Sequence, residues 1–302
     1  MSNRWFNLVV VLLWLASMSW LVTMKVLPTL MVGDPPSYRT ILDAQKCEPP
    51  VGWKIVVNRE SVGWALTTIP PSSDGQTLIR SRVHFDRVPL EEIAPDWLRP
   101  LLRLVEKPAA SLRMDSVSDV VIGSDGRLAG FNSTVRVEPL GHTIHLDGKV
   151  VGGRIELSVQ SGSLTYFTEA YLPPDAVVGN SLAPQTQLPG LQLAQTWTAP
   201  AYSLLRPPSS PMEILQAKVE DVDTIMWNGR AAETLVVVYR DDPGGGFRSD
   251  NAPRGKLWVR SDGTVLKQQM LSSMMTFTRL SEAEAEAVAR EQGIKQSNQG
   301  VE

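Results

Sequence analysis

Cysteine is nearly missing from this chain. Cys47 is the only one, which excludes an internal disulfide framework. No Gly-x-Ser-x-Gly elbow occurs, so the usual signature of a serine hydrolase is absent. The glycine-rich stretch at 241–248, DDPGGGFR, lacks the Lys-Ser/Thr that completes a phosphate-binding loop. It reads as a hairpin loop. Charge of one sign is also lacking. The 29 Lys and Arg nearly balance 32 Asp and Glu, for a net charge of -3. Without a basic stripe, nucleic acid is not an expected partner. The triplet Asn132-Ser133-Thr134 matches a glycosylation acceptor, relevant only in a eukaryotic secretory route.

The uncharged apolar run WFNLVVVLLWLASMSWLVTM fills residues 5–24 and stops at Lys25. About 20 apolar residues is what an α-helix needs to cross a hydrocarbon core roughly 30 Å thick. The expectation is a single-pass anchor over 5–25, preceded by a short cytoplasmic N-terminus, 1–4. Cleavage before Trp20, using Ser17 and Ser19 as the small residues of a signal peptide, is the competing expectation. Lys25, Arg39 and Lys46 follow the run and Arg4 precedes it, so charge does not set the orientation. Long segments translocate largely regardless of charge. The expected location is therefore the cell membrane, with the C-terminal domain extracytoplasmic.

Residues 26–50 read as a proline-containing linker. From Trp53 onward the pattern becomes that of strands, and one antiparallel β domain is expected over 51–280. Ile79, Val83 and Phe85 alternate with Arg80, Arg82 and His84; Ile155, Leu157 and Val159 with Arg154, Glu156 and Ser158; Leu215, Ala217 and Val219 with Gln216, Lys218 and Glu220. Period-two alternation with one polar face marks antiparallel strands wet on one side. Asp74-Gly75, Asp125-Gly126, Asp147-Gly148, Asn228-Gly229 and Asp262-Gly263 each suggest a tight hairpin turn. Residues 90–105 carry apolar side chains at helical spacing, interrupted by Pro95 and Pro100. Ser281-Glu282-Ala283-Glu284 is a capping box. It opens a helix to about 292, with Gly293 as the stop, inside a C-terminal helix and tail, 281–302. The proline-interrupted segment 173–211 reads as a crossing within the sheet system. Its Leu182, Leu188, Leu191, Leu193 and Trp197 are expected to be covered.

The order of elements, with LAPQTQLPGLQLAQTW at 182–197 and GKLWVRSDGTVLKQQM at 255–270, resembles the extracytoplasmic β domains that precede transglutaminase-like domains in some bacterial membrane proteins. More loosely it is similar to the lipoprotein-carrier superfamily. That resemblance implies a curved antiparallel half-barrel with a concave apolar face and a few covering helices, a mainly β (α+β) fold. It carries no activity over, because no transglutaminase-like domain is present in the chain.

Candidate sites are few. His142 and His145 are three apart in a strand and so point to opposite faces. His145 and Asp147 share a face, and a solvated strand face is favoured over zinc, which needs three or four ligands. Cys47 sits beside Pro49-Pro50 with no motif around it and reads as a bystander thiol. Of the tryptophans Trp53, Trp64, Trp97, Trp197, Trp227 and Trp258, core packing is the ordinary use. Under the half-barrel resemblance, Trp97, Leu101, Leu191 and Trp197 are the candidates to line an apolar groove. The expectation is a non-enzymatic, membrane-anchored binding or carrier module for an apolar ligand or lipid-modified peptide, without cofactor or metal. The alternative is a scaffold subunit docking on an envelope transporter or enzyme.

Overall fold

The computed structural model describes residues 3–21, 35–44, 49–70, 75–87, 113–138, 142–172, 176–180, 182–202, 211–241, 252–271 and 274–293. Two helices come first, α1 (Asn3–Leu21) and α2 (Tyr38–Ala44). Strands β1 (Val51–Val57), β2 (Glu60–Thr68), β3 (Thr77–Phe85), β4 (Arg113–Ile122) and β5 (Leu128–Glu138) follow. Next are β6 (His142–Val151), β7 (Arg154–Ser161), β8 (Leu164–Tyr171) and the two-residue β9 (Gly179–Asn180). The chain continues through β10 (Thr196–Tyr202), β11 (Met212–Trp227), β12 (Arg230–Asp241), β13 (Gly255–Val259), β14 (Val265–Met270) and β15 (Met275–Arg279). Helix α3 (Glu282–Glu291) is the last described element.

The fifteen strands among the described residues form one sheet in the order β8-β7-β6-β5-β4-β3-β2-β1-β15-β14-β13-β12-β11-β10-β9. Every pair is antiparallel except β9 with β10. The meander expected from the turn residues is therefore present, doubled back once so that β1 pairs with β15. Alternation sets which face is buried. Val83 and Phe85 on β3, Ile155, Leu157 and Val159 on β7, and Ala217 and Val219 on β11 are all buried, as their spacing predicts. Together with Trp53, Ile55, Val237, Val259 and Phe277 they belong to one continuous apolar core.

A sheet this long cannot stay flat, because strand twist accumulates. The curl is seen directly. The ring of Phe131 on β5 stacks on Tyr202 of β10 at 4.1 Å and 8°, although nine strands lie between β5 and β10 in the sheet order. Asn180 of β9 donates to Ser118 Oγ of β4 at 3.0 Å. The β9 end is thus turned inward onto β4, and β5–β8 continue past the point of contact to a separate edge. Helix α2 plugs this junction. Its buried Tyr38 hydroxyl donates to the Val178 carbonyl and accepts from the Val178 N–H.

Helix α3 covers the outer face of β1 and β2. The capping box forms as expected, with Ser281 accepting from the Glu284 N–H and the Glu284 carboxylate reaching back to the Ser281 N–H. Gly293 takes φ +66° past the helix end. Gly52 lets the helix sit close, since a Cβ there would lie 2.8 Å from Ala285 Cβ.

Several expectations are corrected. Asp147-Gly148 is no turn. It lies inside β6, and the β6–β7 turn is Gly152-Gly153, with φ +58° and +78°. Gly148 is small for a packing reason: a Cβ there would be 2.7 Å from the Phe131 ring. The first hairpin turns on Asn58-Arg59, both at positive φ, a turn with no glycine to announce it. Leu193 is 56% exposed, unlike Leu182 and Leu188, which are buried. Part of the segment read as a linker is α2, whose Tyr38 and Ile41 are buried.

At the N-terminus, α1 supplies about 28 Å at 1.5 Å per residue, and its first two turns hold Asn3, Arg4 and Asn7. No helix among the described residues is long and apolar enough to cross a membrane. Residues 22–34, where the apolar run continues, and 88–112, expected to hold a broken helix, lie outside the described residues.

Candidate functional site

On the inner face, hydroxyls replace the usual apolar side chains along one cross-strand row. Thr67 of β2 lies opposite Ser81 of β3, Ser81 opposite Ser118 of β4, and Ser118 opposite Ser133 of β5. Thr67 Oγ1 and Ser81 Oγ are 3.2 Å apart, and Ser118 and Ser133 share a 2.6 Å hydrogen bond. Asn180 joins through Ser118, and its own Oδ1 accepts from the Leu182 N–H. Tyr202 brings its phenol to the same place, held by the stack on Phe131. Burial dominates that phenol and pushes its pKa far above the ordinary value, while Ser118, Ser133 and Asn180 beside it pull the other way. Its oxygen makes no hydrogen bond of good geometry, and neither does the buried Ser116 Oγ, two residues from Ser118 on β4.

This row can hold a polar group, and among the described residues no acid–base side chain of its own strands shares its face. The titratable groups of these strands sit on the opposite face. Arg80 makes a two-pronged ion pair with Asp119 at 2.7 Å, and His84, stacked on Trp64, is bonded to Asp115 at 2.7 Å and Asp86 at 3.2 Å. A serine nucleophile needs an adjacent base, and here the sheet itself stands between them.

The outer face of β5–β8 carries a shallow trough of about 930 Å³. Two rows of cross-strand neighbours line it: Asn132, Asp147, Ser158 and Phe167, then Gly130, Lys149, Glu156 and Glu169. Glu156 and Glu169 face each other directly, an unfavourable pairing relieved by Arg154, which reaches Glu169 at 3.3 Å. Phe167 stands at the trough's rim, 80% exposed.

The residues singled out from the sequence are scattered. Leu191 and Trp197 are half-buried and pack against the core. Trp97 and Leu101 lie outside the described residues, as do Cys47 and most of the 241–248 loop; Asp241 is paired with Arg254. His145 Nδ1 meets Thr134 Oγ1 at 3.1 Å on the outer face, and the His142 side chain is not among those described. Among the described residues no group of three or more His, Cys, Asp or Glu can hold a metal. Trp53 is fully buried, and Trp258 donates to Asp223 with Lys267 over its ring. The stretches 182–197 and 255–270 touch: Leu188 N–H donates to the Gly263 carbonyl at 2.8 Å, and Gln187 bridges Thr264.

Sequence reasoning missed the hydroxyl row. Its signal was present in Met114-x-Ser116-x-Ser118-x-Val120, where serines occupy positions that alternation assigns to the core.

The chain matches no protein-family model and no curated protein. In fold it is similar to a β-barrel-like protein of domain of unknown function DUF1849 from Brucella abortus. That likeness has a TM-score of 0.44 at 10% identity, over 76% of this chain and 93% of the other. It is also similar to a DUF1089 family protein from Pseudomonas aeruginosa, with a TM-score of 0.34 at 16% identity, over 68% and 89% respectively. Both are too distant to transfer a function to this chain.

Proposed function

We propose that this protein is a non-catalytic scaffold, held at a membrane by its N-terminal apolar segment and presenting the outer face of a curled sheet to protein partners. The observation that carries this reading is a ring stack that spans the interior among the described residues. Phe131 and Tyr202 lie between the two sides of the curl with ring centroids 4.1 Å apart, and a trough lies mainly on the outer face of β5–β8. A carrier of apolar ligands needs an open apolar cavity. Membrane attachment is supported by α1, where Val9 through Leu15, Met18 and Trp20 form the most extended set of exposed apolar side chains among the described residues. A helix apolar on all sides needs a surrounding medium of the same kind. The continuation of the run to Met24 would complete a span, with the β domain extracytoplasmic.

The hydroxyl row favours a second reading, a binding module that takes the polar head of a ligand at Ser116 and Tyr202, whose buried oxygens lack hydrogen bonds of good geometry. One experiment separates the two. The full chain, extracted in detergent, is examined by native mass spectrometry after release from the micelle. The scaffold reading expects the mass of the protein alone and co-purification of a membrane complex when cells are cross-linked first. A stoichiometric acyl-bearing molecule, lost in Tyr202→Phe, would establish the binding module instead. Recovery of the uncleaved chain in the carbonate-soluble fraction would refute the anchor.

A further inference from the structure

The two edges of this sheet are treated differently. One edge is defended: β9 has two residues, β10 carries Pro200, and Asn180 is bonded inward to Ser118. The other edge, β8, is eight residues long and pairs with β7 along its whole length without a bulge. Among the described residues no strand pairs with its far side. An edge strand is normally blunted by lysine, proline, a bulge or a cover. LTYFTEAY has none of the first three. Leu164, Tyr166, Phe167 and Tyr171 are 58%, 41%, 80% and 68% exposed, so both faces of the strand carry exposed apolar side chains.

We propose that β8 is a self-association edge, at which two copies of the chain pair antiparallel about a twofold axis through Phe167. A twofold pair keeps each face of the sheet continuous only if paired residue numbers have the same parity, because side chains alternate faces. Two registers pair seven residues a side within the strand, those centred on Phe167 and on Thr168; those centred on Tyr166 and on Glu169 pair only five. Centring on Glu169 sets two carboxylates opposite each other. Centring on Thr168 sets each Glu169 against a phenyl ring. Centring on Phe167 sets the two rings together, Glu169 opposite Thr165, Leu164 opposite Ala170 and Tyr166 opposite Thr168. Aromatic pairs and uncharged partners for a carboxylate are the favourable cross-strand combinations. Glu169, the one charge on the strand, is already tied to Arg154 within its own copy, so no like charges meet. The Phe167 register also joins the outer-face troughs of the two copies end to end, since Phe167, Thr168 and Glu169 line the rim of each.

Seven paired residues a side is well below the roughly 20–30 of a standard stable interface, so the dimer is expected to be weak and concentration-dependent. Self-pairing at β8 is independent of the scaffold reading, which concerns other proteins on the outer face. Sedimentation of the detergent-solubilised full chain tests it, over a range from low micromolar to several hundred micromolar. The wild type is expected to pass from monomer to dimer. Phe167→Lys, placed where the side chain touches little, is expected to remain monomeric with an unchanged near-ultraviolet circular dichroism spectrum. A second arm uses oxidation in a Cys47→Ser background. Phe167→Cys should give a covalent dimer, since directly opposed residues lie within disulfide reach. Thr165→Cys should not, being four residues out of register with its own copy. A wild type monomeric throughout, or a dimer that survives Phe167→Lys, would overturn the proposal. So would cross-linking of the edge to another protein while the chain alone stays monomeric.

Discussion

Substituting Gly148 by alanine probes the centre of the fold. Gly148 lies in β6 with ordinary extended backbone, so no conformational strain arises from a side chain there. The obstacle is space. A Cβ would stand 2.7 Å from one carbon of the Phe131 ring and 2.8 Å from another. The ring has little freedom to move, because Tyr202 is stacked on it with centroids 4.1 Å apart. Overpacking of this kind costs about 1–3 kcal/mol. Against it, alanine recovers roughly 0.4–1 kcal/mol by restricting the unfolded chain. Net destabilisation of about 1–2 kcal/mol is expected. For a domain of this size that lowers Tm by about 2–4 °C per kcal/mol. Phe131→Leu alone should cost roughly 2 kcal/mol, through lost stacking and a partial cavity. The decisive measurement is the double variant. If the clash is with the ring, the alanine costs nothing further once leucine replaces the phenylalanine, a coupling of about 1–2 kcal/mol. Thermal unfolding followed by tryptophan fluorescence, with Trp53 fully buried as reporter, gives all four corners of the cycle. Additivity within about 0.5 kcal/mol would refute the reasoning and with it the placement of Phe131 across the interior.

Two further outcomes are expected. Leu157→Asp should cost several kcal/mol, about 3–5, by burying an unpaired charge, whereas Ser158→Asp on the outer face, opposite Asp147, should cost less than about 1 kcal/mol and fade with added salt; equal costs in thermal unfolding would invert the register of β7. Arg240, with two hydrogen bonds of 2.6 and 3.0 Å, holds the Glu220 carboxyl below its ordinary 4.5. A depressed carboxyl contributes stability above its unfolded pKa and loses it as pH falls through the folded one. Glu220→Gln should therefore cost up to about 1 kcal/mol at neutral pH and nothing at the acid end, and a difference independent of pH would exclude the ion pair as the cause.

Local order was legible in the residues themselves. Alternation at Ile155–Val159 and Leu215–Val219 told which side chains enter the core, because the strand period of two is a property of the backbone. The capping box at Ser281–Glu284 announced α3 for the same reason, since its bonds are made within one turn. Asn228-Gly229 marked a hairpin because two successive positive φ angles are a local demand. Tertiary structure decided the rest. Asp147-Gly148 has the composition of a turn, yet Gly148 is small because a ring from the neighbouring strand needs its volume, a demand no local rule records. Ser81 and Ser118 stand at positions that alternation assigns to the core, but only strand pairing sets them in one row with Ser133 under Asn180. Trp197 and Leu191 were apolar enough to line a groove; whether such side chains meet empty space or one another depends on how far the sheet curls. The free edge at β8 likewise follows from where the meander stops. Periodicity tells each strand which way to face, and only the closure of the curl tells it what it will face.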